Sequence, residues 1–423
     1  MSGLIETVYA ATNANTTTSA SNAVKKYYDK KFLQRVNQLL PLAQFGQKRP
    51  LPEGNGKTIE FTRFQNFAKS VSGATLTEGT FPDATQFKVQ ALSATIAEYG
   101  GWTQLTSLFD QSQINQGNQE IIDAVGEWAA QVMSQVYHNA VCSSGIYPLA
   151  ADLSATSTYS GVVDSATSTT LVDAAIGSNT NYGDANDDLN QSIVVITSGT
   201  GEGQARVVTD FVTSGGTMTV SPAWDVTPAA GDTYVVTTPD ELTTGDVLSY
   251  TNLSEARTIL KLNRAQTFGD GYYVLVASPN TVKGLMVNDT VWKNAHTYQD
   301  TTQLYAGEVG KFAGFRIVEE TDPFRFPITT RGTSGTSYGP GAAGANYSAT
   351  GAIYTNLALG MNSFGLTTFS KKSGQISKPP LYINKAAQSG TYQPIPRYDT
   401  IGWMLEAVCK PLNPLFAVGI WTV

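Results

Sequence analysis

Residues 118–142, NQEIIDAVGEWAAQVMSQVYHNAVC, form the longest stretch of the chain with one unbroken periodicity. Apolar side chains recur at Ile121, Ile122, Val125, Trp128, Ala129, Val132, Met133, Val136, Tyr137, Ala140 and Val141, the spacing of one helical face. At about 1.5 Å per residue the segment is on the order of 35 Å long, enough to cross a whole subunit. Asn118 serves as N-cap with Glu120 in the first turn, and Gly145 with Pro148 supplies the stop. The opposite face (Glu120, Asp123, Glu127, Gln131, Ser134, Gln135, His138, Asn139) is polar but lightly charged. A second surface is therefore expected over part of it.

A length of 423 residues allows two or three domains and a sizeable core. The formal net charge of -7 and pI near 5.0 give the molecule as a whole no pull towards nucleic acid or an anionic membrane. Charged residues are only 14% of the chain, against roughly 25% in an average soluble protein. Gly, Ser, Thr, Asn and Gln replace them, which suits extracellular β-proteins and subunits whose outsides become interfaces. Cys142 and Cys409 make no disulfide framework and read as reduced core thiols. The start carries Glu6 and no basic region, and no stretch is long and apolar enough to span a bilayer, so a soluble, cytoplasmically made protein is expected.

Outward from the helix, the chain changes character several times. Residues 1–21 are a Thr, Ser, Asn and Ala tract expected to order only against a partner. Val24, Tyr27, Tyr28, Phe32, Val36, Leu39 and Leu40 then follow a helical period closed by Pro41, with Lys25, Lys26, Lys30, Lys31 and Arg35 between them. That basic cluster reads as a solvated or subunit-contacting face ahead of a contact with nucleic acid. Period two begins at residues 58–64 (TIEFTRF) and returns over 86–99, where the apolar parity slips from Phe87, Val89 and Ala91 to Leu92, Ala94 and Ile96 and suggests a bulge. Two such strands alone are marginal in water and need another chain or domain beside them.

Residues 153–239 read as an inserted small β-sandwich or barrel, with strands at 191–196, 205–211, 217–220 and 233–238 and glycine turns between them. They carry nine acidic residues, no Lys and the single Arg206; the remaining chain then holds 25 acids and 26 bases of the 34 and 27 in total. The chain continues as α/β: a helix over 253–262 with Asn252 and Glu255 at capping-box spacing, a buried strand over 272–277, a helix opened by Ser278-Pro279, and a Gly-punctuated turn into a strand over 307–318. Residues 330–350 are a Gly, Ser and Thr loop. Strands return over 351–364 and 398–423, with Trp403, Val408, Leu415, Val418, Ile420 and Trp421 as core.

No motif asks for catalysis. Gly339-Pro340-Gly341-Ala342-Ala343-Gly344 has the letters of a dinucleotide turn without the strand before or the helix after it. Asp184-Ala185-Asn186-Asp187-Asp188 starts like a calcium loop, but Leu189 and Val195 stand where Gly and a bidentate Glu belong, leaving an Asp-rich turn. The only histidines are His138 and His296, and no spacing matches a zinc site, a nucleophile elbow or a Cys/His pair. No enzyme activity, cofactor or metal is expected.

The segments Tyr27-Tyr28-Asp29-Lys30-Lys31-Phe32-Leu33, Leu51-Pro52-Glu53-Gly54-Asn55-Gly56-Lys57-Thr58-Ile59, Leu76-Thr77-Glu78-Gly79, Glu98-Tyr99-Gly100, Gly307-Glu308-Val309-Gly310 and Gly314-Phe315-Arg316-Ile317-Val318, in this order of elements, resemble the major capsid proteins of tailed bacteriophages. Within that group the chain is most similar to the phage N-four coat-protein family. The resemblance implies an α+β chain of the Hong Kong 97 capsid fold with an inserted all-β domain. Residues 1–46 would be an N-terminal arm, 47–105 an extended loop over a neighbouring subunit, 106–152 the peripheral domain with the spine helix, 153–239 the insertion, 240–330 the axial domain, and 331–423 a surface loop and return to the peripheral domain. It implies a coat protein assembling with itself into hexamers and pentamers, with portal and scaffold or decoration proteins as partners. The shell would be made in the host cytoplasm and would enclose double-stranded DNA without reading its sequence. No membrane contact is implied.

Subunit-contact residues expected on this basis are Glu78, Lys57, Arg63, Lys88, Lys25, Lys26 and Arg35, with Glu78 pairing a basic residue of a neighbour. Lys57, Lys69 and Lys88 have no evident partner for a covalent crosslink, so none is expected. For the acidic insertion we expect an exposed tower or a brace between capsomers. An encapsulin-like shell around protein cargo is the main alternative, followed by a β-rich adhesin or surface-layer protein and, last, a carboxylate-based polysaccharide-cleaving enzyme.

Overall fold

The computed structural model describes residues 40–52, 54–64, 78, 89–106, 117–144, 146–151, 158–179, 186–190, 192–237, 246–292, 308–321, 325–326, 353–370, 380–384 and 398–422. Short strands β1 (Gln47–Lys48) and β2 (Leu51–Pro52) precede a hairpin of β3 (Thr58–Phe64) and β4 (Val89–Thr95). Strand β5 (Ala97–Thr106), helix α1 (Gly117–Ser144) and β6 (Tyr147–Ala150) come next. Seven strands follow: β7 (Thr158–Val162), β8 (Ser165–Ala166), β9 (Thr170–Val172), β10 (Ile193–Ser198), β11 (Ala205–Val212), β12 (Thr217–Ser221) and β13 (Thr233–Thr237). Then come α2 (Tyr250–Leu262), β14 (Tyr273–Ala277), α3 (Pro279–Asn288), β15 (Glu308–Phe312), β16 (Phe315–Glu319) and β17 (Arg325–Phe326). The chain ends in β18 (Ile353–Leu359), β19 (Phe364–Ser370), β20 (Leu381–Asn384), β21 (Tyr398–Pro411) and β22 (Ala417–Thr422). Helices and mixed sheets coexist, so the class is α+β.

Two compact units emerge, and the first, among the described residues, draws on 98–134 and 377–406. In it β21 lies between β5 and β20, with Leu381 opposite Trp403 in the antiparallel pair. The indole of Trp128 meets Trp403 edge to face, with centroids 6.2 Å apart. Gly101 makes room for it, since a Cβ there would sit 2.0 Å from the Trp128 ring. Trp128, expected on the buried side of the helix, is nonetheless 41% exposed.

The second unit, 41–97, 135–376 and 407–423, holds most of the core. Its central sheet runs β15-β16-β14-β18-β22-β6, with β17 also against β18. β14 is parallel to β16 and β22 to β6, while β18 is antiparallel to both its inner neighbours. Leu253, Ala256 and Leu260 of α2 and Val282 and Leu285 of α3 pack with Leu275, Phe315, Ile317, Ala358, Val418 and Ile420 of the sheet. The cap of α2 is Ser249, not Asn252: Ser249 accepts from the Asn252 amide, and the Asn252 side chain accepts from the Ser249 amide. Ser278 and Pro279 cap and open α3 as the sequence indicates. Ala313 and Gly314, both at positive φ, form the two-residue turn of the β15–β16 hairpin.

Residues 158–237 form a sheet in the order β7-β13-β10-β11-β12-β9-β8. Its first and last strands are joined by Val163 and Asp164 alone, a link too short to separate the sheet's ends by more than about 10 Å. Val163 exchanges backbone hydrogen bonds with Gly231 and Asp232 on one side, and Asp164 donates to Val172 on the other. The sheet therefore closes as a barrel around Leu171, Ile176, Val194, Ile196, Phe211, Met218, Tyr234 and Val236. Thr158 pairs with Thr237, so the barrel's entry and exit are adjacent.

The hairpin corrects the expected bulge. Its register is continuous from Thr58–Thr95 to Phe64–Val89. Gln90, Leu92, Ala94 and Ile96 turn inward throughout, and the parity slip in the sequence arises because Val89 and Ala91 are apolar side chains facing out. The expected need for a neighbour is met within the chain: Ile59, Phe61, Leu92 and Ala94 pack with Phe369, Val408 and Leu412.

Candidate subunit-contact surfaces

Alternation decides what each hairpin residue can do. Ile59, Phe61 and Arg63 share the inner face of β3, while Thr58, Glu60 and Thr62 face out with the exposed Lys57 at the base. Glu78 is exposed. Lys57 and Glu78 are thus available to a neighbour. Arg63 is taken up inside the chain: its guanidinium donates to the Gly203 carbonyl at 3.0 Å. Burial pulls its pKa below the usual arginine range, opposed by the charge of Glu202. Its assignment as an inter-subunit residue therefore does not follow from this geometry. Lys25, Lys26, Arg35, Lys69 and Lys88 lie outside the described residues, as do His296, the 339–344 glycine run and Asp184.

Other exposed surfaces are apolar. Met286, Val287 and Val291 at the end of α3 and just beyond it are 37%, 56% and 44% exposed, and Leu262 at the end of α2 is 76% exposed. In the first unit Trp102 on β5 is 66% exposed. Single exposed apolar residues are ordinary, but the run at 286–291 lies within one short segment.

The sequence placed Ser134 and His138 on the polar side of α1. Both are buried, on one stripe with Ala130 and Cys142 at four-residue spacing. His138 Nε2 stands 3.3 Å from Glu320 Oε2, each residue 2% exposed, at the end of β16. That distant carboxylate helps make the imidazole's burial tolerable, and no local pattern in 118–142 announces it. Cys142 and Cys409 are free, buried thiols whose pKa values burial pushes well up. At the Asp-rich turn, Asp187 takes a positive φ and accepts from Asn190, and the Asn186 side chain accepts from Thr213. Among the described residues no group of three His, Cys, Asp or Glu is placed to hold a metal, and no helix is long and apolar enough to cross a membrane.

Residues 212–377 match the family model described as phage capsid protein. Gly307–Gly310 and Gly314–Val318 of the resembling segments lie inside that match, and those of the hairpin and arm lie outside it. No curated protein matches the chain. Among solved structures, the capsid of Ralstonia phage GP4 is 13% identical over 89% of this chain and 87% of that one, with a TM-score of 0.49. The capsid of Cyanophage P-SCSP1u is 11% identical over 91% and 88%, with a TM-score of 0.46. A virus-like particle from Pyrococcus furiosus is 10% identical over 94% and 99%, with a TM-score of 0.39. The matched segment spans the end of the barrel and most of the central sheet, and it supports a major capsid protein of a phage head.

Proposed function

We propose that this chain is the major coat protein of a tailed phage, of the Hong Kong 97 type and akin to the phage N-four coat family. It assembles with itself into hexamers and pentamers of an icosahedral head around double-stranded DNA. The capsid-family match over 212–377 carries this reading. Low charge over the whole sequence suits a subunit covered by its neighbours, and a chain outside the barrel with almost equal acids and bases suits a container that holds DNA without gripping it. The 47–105 hairpin, with Lys57 at its base and Glu78 beyond, reaches a neighbouring subunit. Met286, Val287 and Val291 meet further copies, and the acidic 153–239 barrel faces away from the polyanion. Portal and scaffold or decoration proteins complete the particle, built in the host cytoplasm.

Negative-stain electron microscopy beside size exclusion tests the reading. Closed shells, or rings of five and six, are expected, with nucleic acid in particles recovered from infected cells. A monodisperse monomer under all conditions would overturn it, and shells filled with protein cargo would move the assignment to a compartment shell.

A further inference from the structure

The inner face of the hairpin changes chemistry along its length. The cross-strand pairs Ile59–Ala94 and Phe61–Leu92 are apolar and pack on the chain's own sheet. The next pair on that face is Arg63–Gln90, where Gln90 is buried and Arg63 reaches Gly203 in the turn between β10 and β11. Leu92, Gly203, Arg206, Lys410 and Leu412 line one narrow cleft where hairpin, barrel and β21 come together. A hairpin that needed only burial would continue its apolar stripe. This one becomes polar where its support changes from sheet to barrel.

The barrel turn is built to receive the guanidinium. Gly203 has φ +77, and a Cβ there would stand 2.1 Å from an Arg63 nitrogen. The Asp232 carboxylate holds the turn from within, accepting from the amides of Thr200, Gly201 and Ala229. Gln204 ties it again through Gly201 and Val226. Gly203 itself donates its amide to the Ile196 carbonyl. The barrel's own arginine, Arg206, is occupied by Asp225, Ala205 and Ala223, and the guanidinium on Gly203 comes from the hairpin.

We propose that the 158–237 barrel is a clamp on its own hairpin at the end of the ladder away from Lys57, with Arg63 as the pin. It fixes the direction of the β3–β4 ladder. The importance of that direction for contact with a neighbour rests on the coat-protein reading; the clamp does not.

Hydrogen exchange on the purified full-length chain tests it. In Arg63→Ala, amides of 58–64 and 89–95 should exchange at least tenfold faster, with those of 205–212 and 233–237 unchanged. Arg63→Lys, which keeps one donor, should fall between that variant and wild type. Gly203→Ala should loosen the same hairpin amides, and adding Arg63→Ala to it should loosen them no further, because both changes break one contact. Unchanged hairpin exchange in a folded Arg63→Ala chain, or additive effects in the double variant, would overturn the clamp. Microscopy of the same wild-type material separates the two readings. Shells with a hairpin indifferent to Arg63 overturn the clamp alone, and a hairpin loosened by Arg63→Ala beside a wild type that never assembles overturns the coat reading alone.

Discussion

His138 shows how a single residue can join distant parts of a sequence. Neither His138 nor Glu320, each 2% exposed, belongs in a core unless something compensates it, and they stand 3.3 Å apart across 182 positions of chain. Breaking a contact between two such buried groups costs on the order of 3 kcal/mol. His138→Ala should therefore lower stability by about that amount in urea unfolding. Glu320→Gln, which keeps the side chain's size and a polar end, should cost less. Equal, small losses in both variants would show the pair to be incidental.

At the scale of elements, the barrel is held by a polar knot as well as by its apolar filling. The Tyr234 hydroxyl donates to Asp173 Oδ2 at 2.7 Å inside the barrel, with Tyr159 at 3.4 Å from the same oxygen. Burial first, then the Asp173 hydrogen bond and charge, raise the Tyr234 pKa far above its ordinary value. The sign follows: the folded chain keeps this proton above pH 10 while the unfolded chain releases it, so stability is intact below about pH 10 and falls as pH rises further. Tyr234→Phe should cost about 1 kcal/mol at pH 8 and make the alkaline decline shallower by about 1.4 kcal/mol per pH unit. Parallel declines in the two proteins would mean that Tyr234 ionises freely. Elements with strong local signals were legible beforehand: α1, the Ser278-Pro279 start of α3, the hairpin strands, and β10 to β13 within a residue or two. Strands β7, β8 and β9 were missed because their Ser, Thr and Gly residues carry little alternation, and their pairing is with distant strands. The buried face of α1 was read about one position off for a related reason. Ser134 and His138 look polar in isolation and are inside through tertiary partners that no periodicity encodes. Arg63, expected at a subunit contact on the strength of the resemblance, reaches Gly203, 140 residues away, a contact that no local pattern signals.

For the molecule as a whole, the barrel is topologically a side loop. None of the central sheet's strands lies within 158–237, and Thr158 and Thr237 are paired neighbours, about 5 Å apart between Cα atoms in such a ladder. Replacing 158–237 by a short Gly and Ser linker should thus leave the central sheet folded, with circular dichroism and cooperative unfolding retained. It should also remove nine acids and one Arg, moving the formal charge from -7 to +1 and raising the pI well above 5.0. The hairpin, however, loses the turn that holds Arg63. Its apolar pairs still rest on Phe369, Val408 and Leu412, so that end of the ladder stays attached while the Arg63 end is released. On the proposed coat-protein role every copy must present this ladder at a compatible angle, and a spread of angles gives a spread of curvatures. The excised chain should therefore form sheets, tubes or shells of mixed diameter in the microscope, where shells of one size are expected of the full chain. Uniform shells from the excised chain would mean that the hairpin takes its direction from the neighbouring subunit instead.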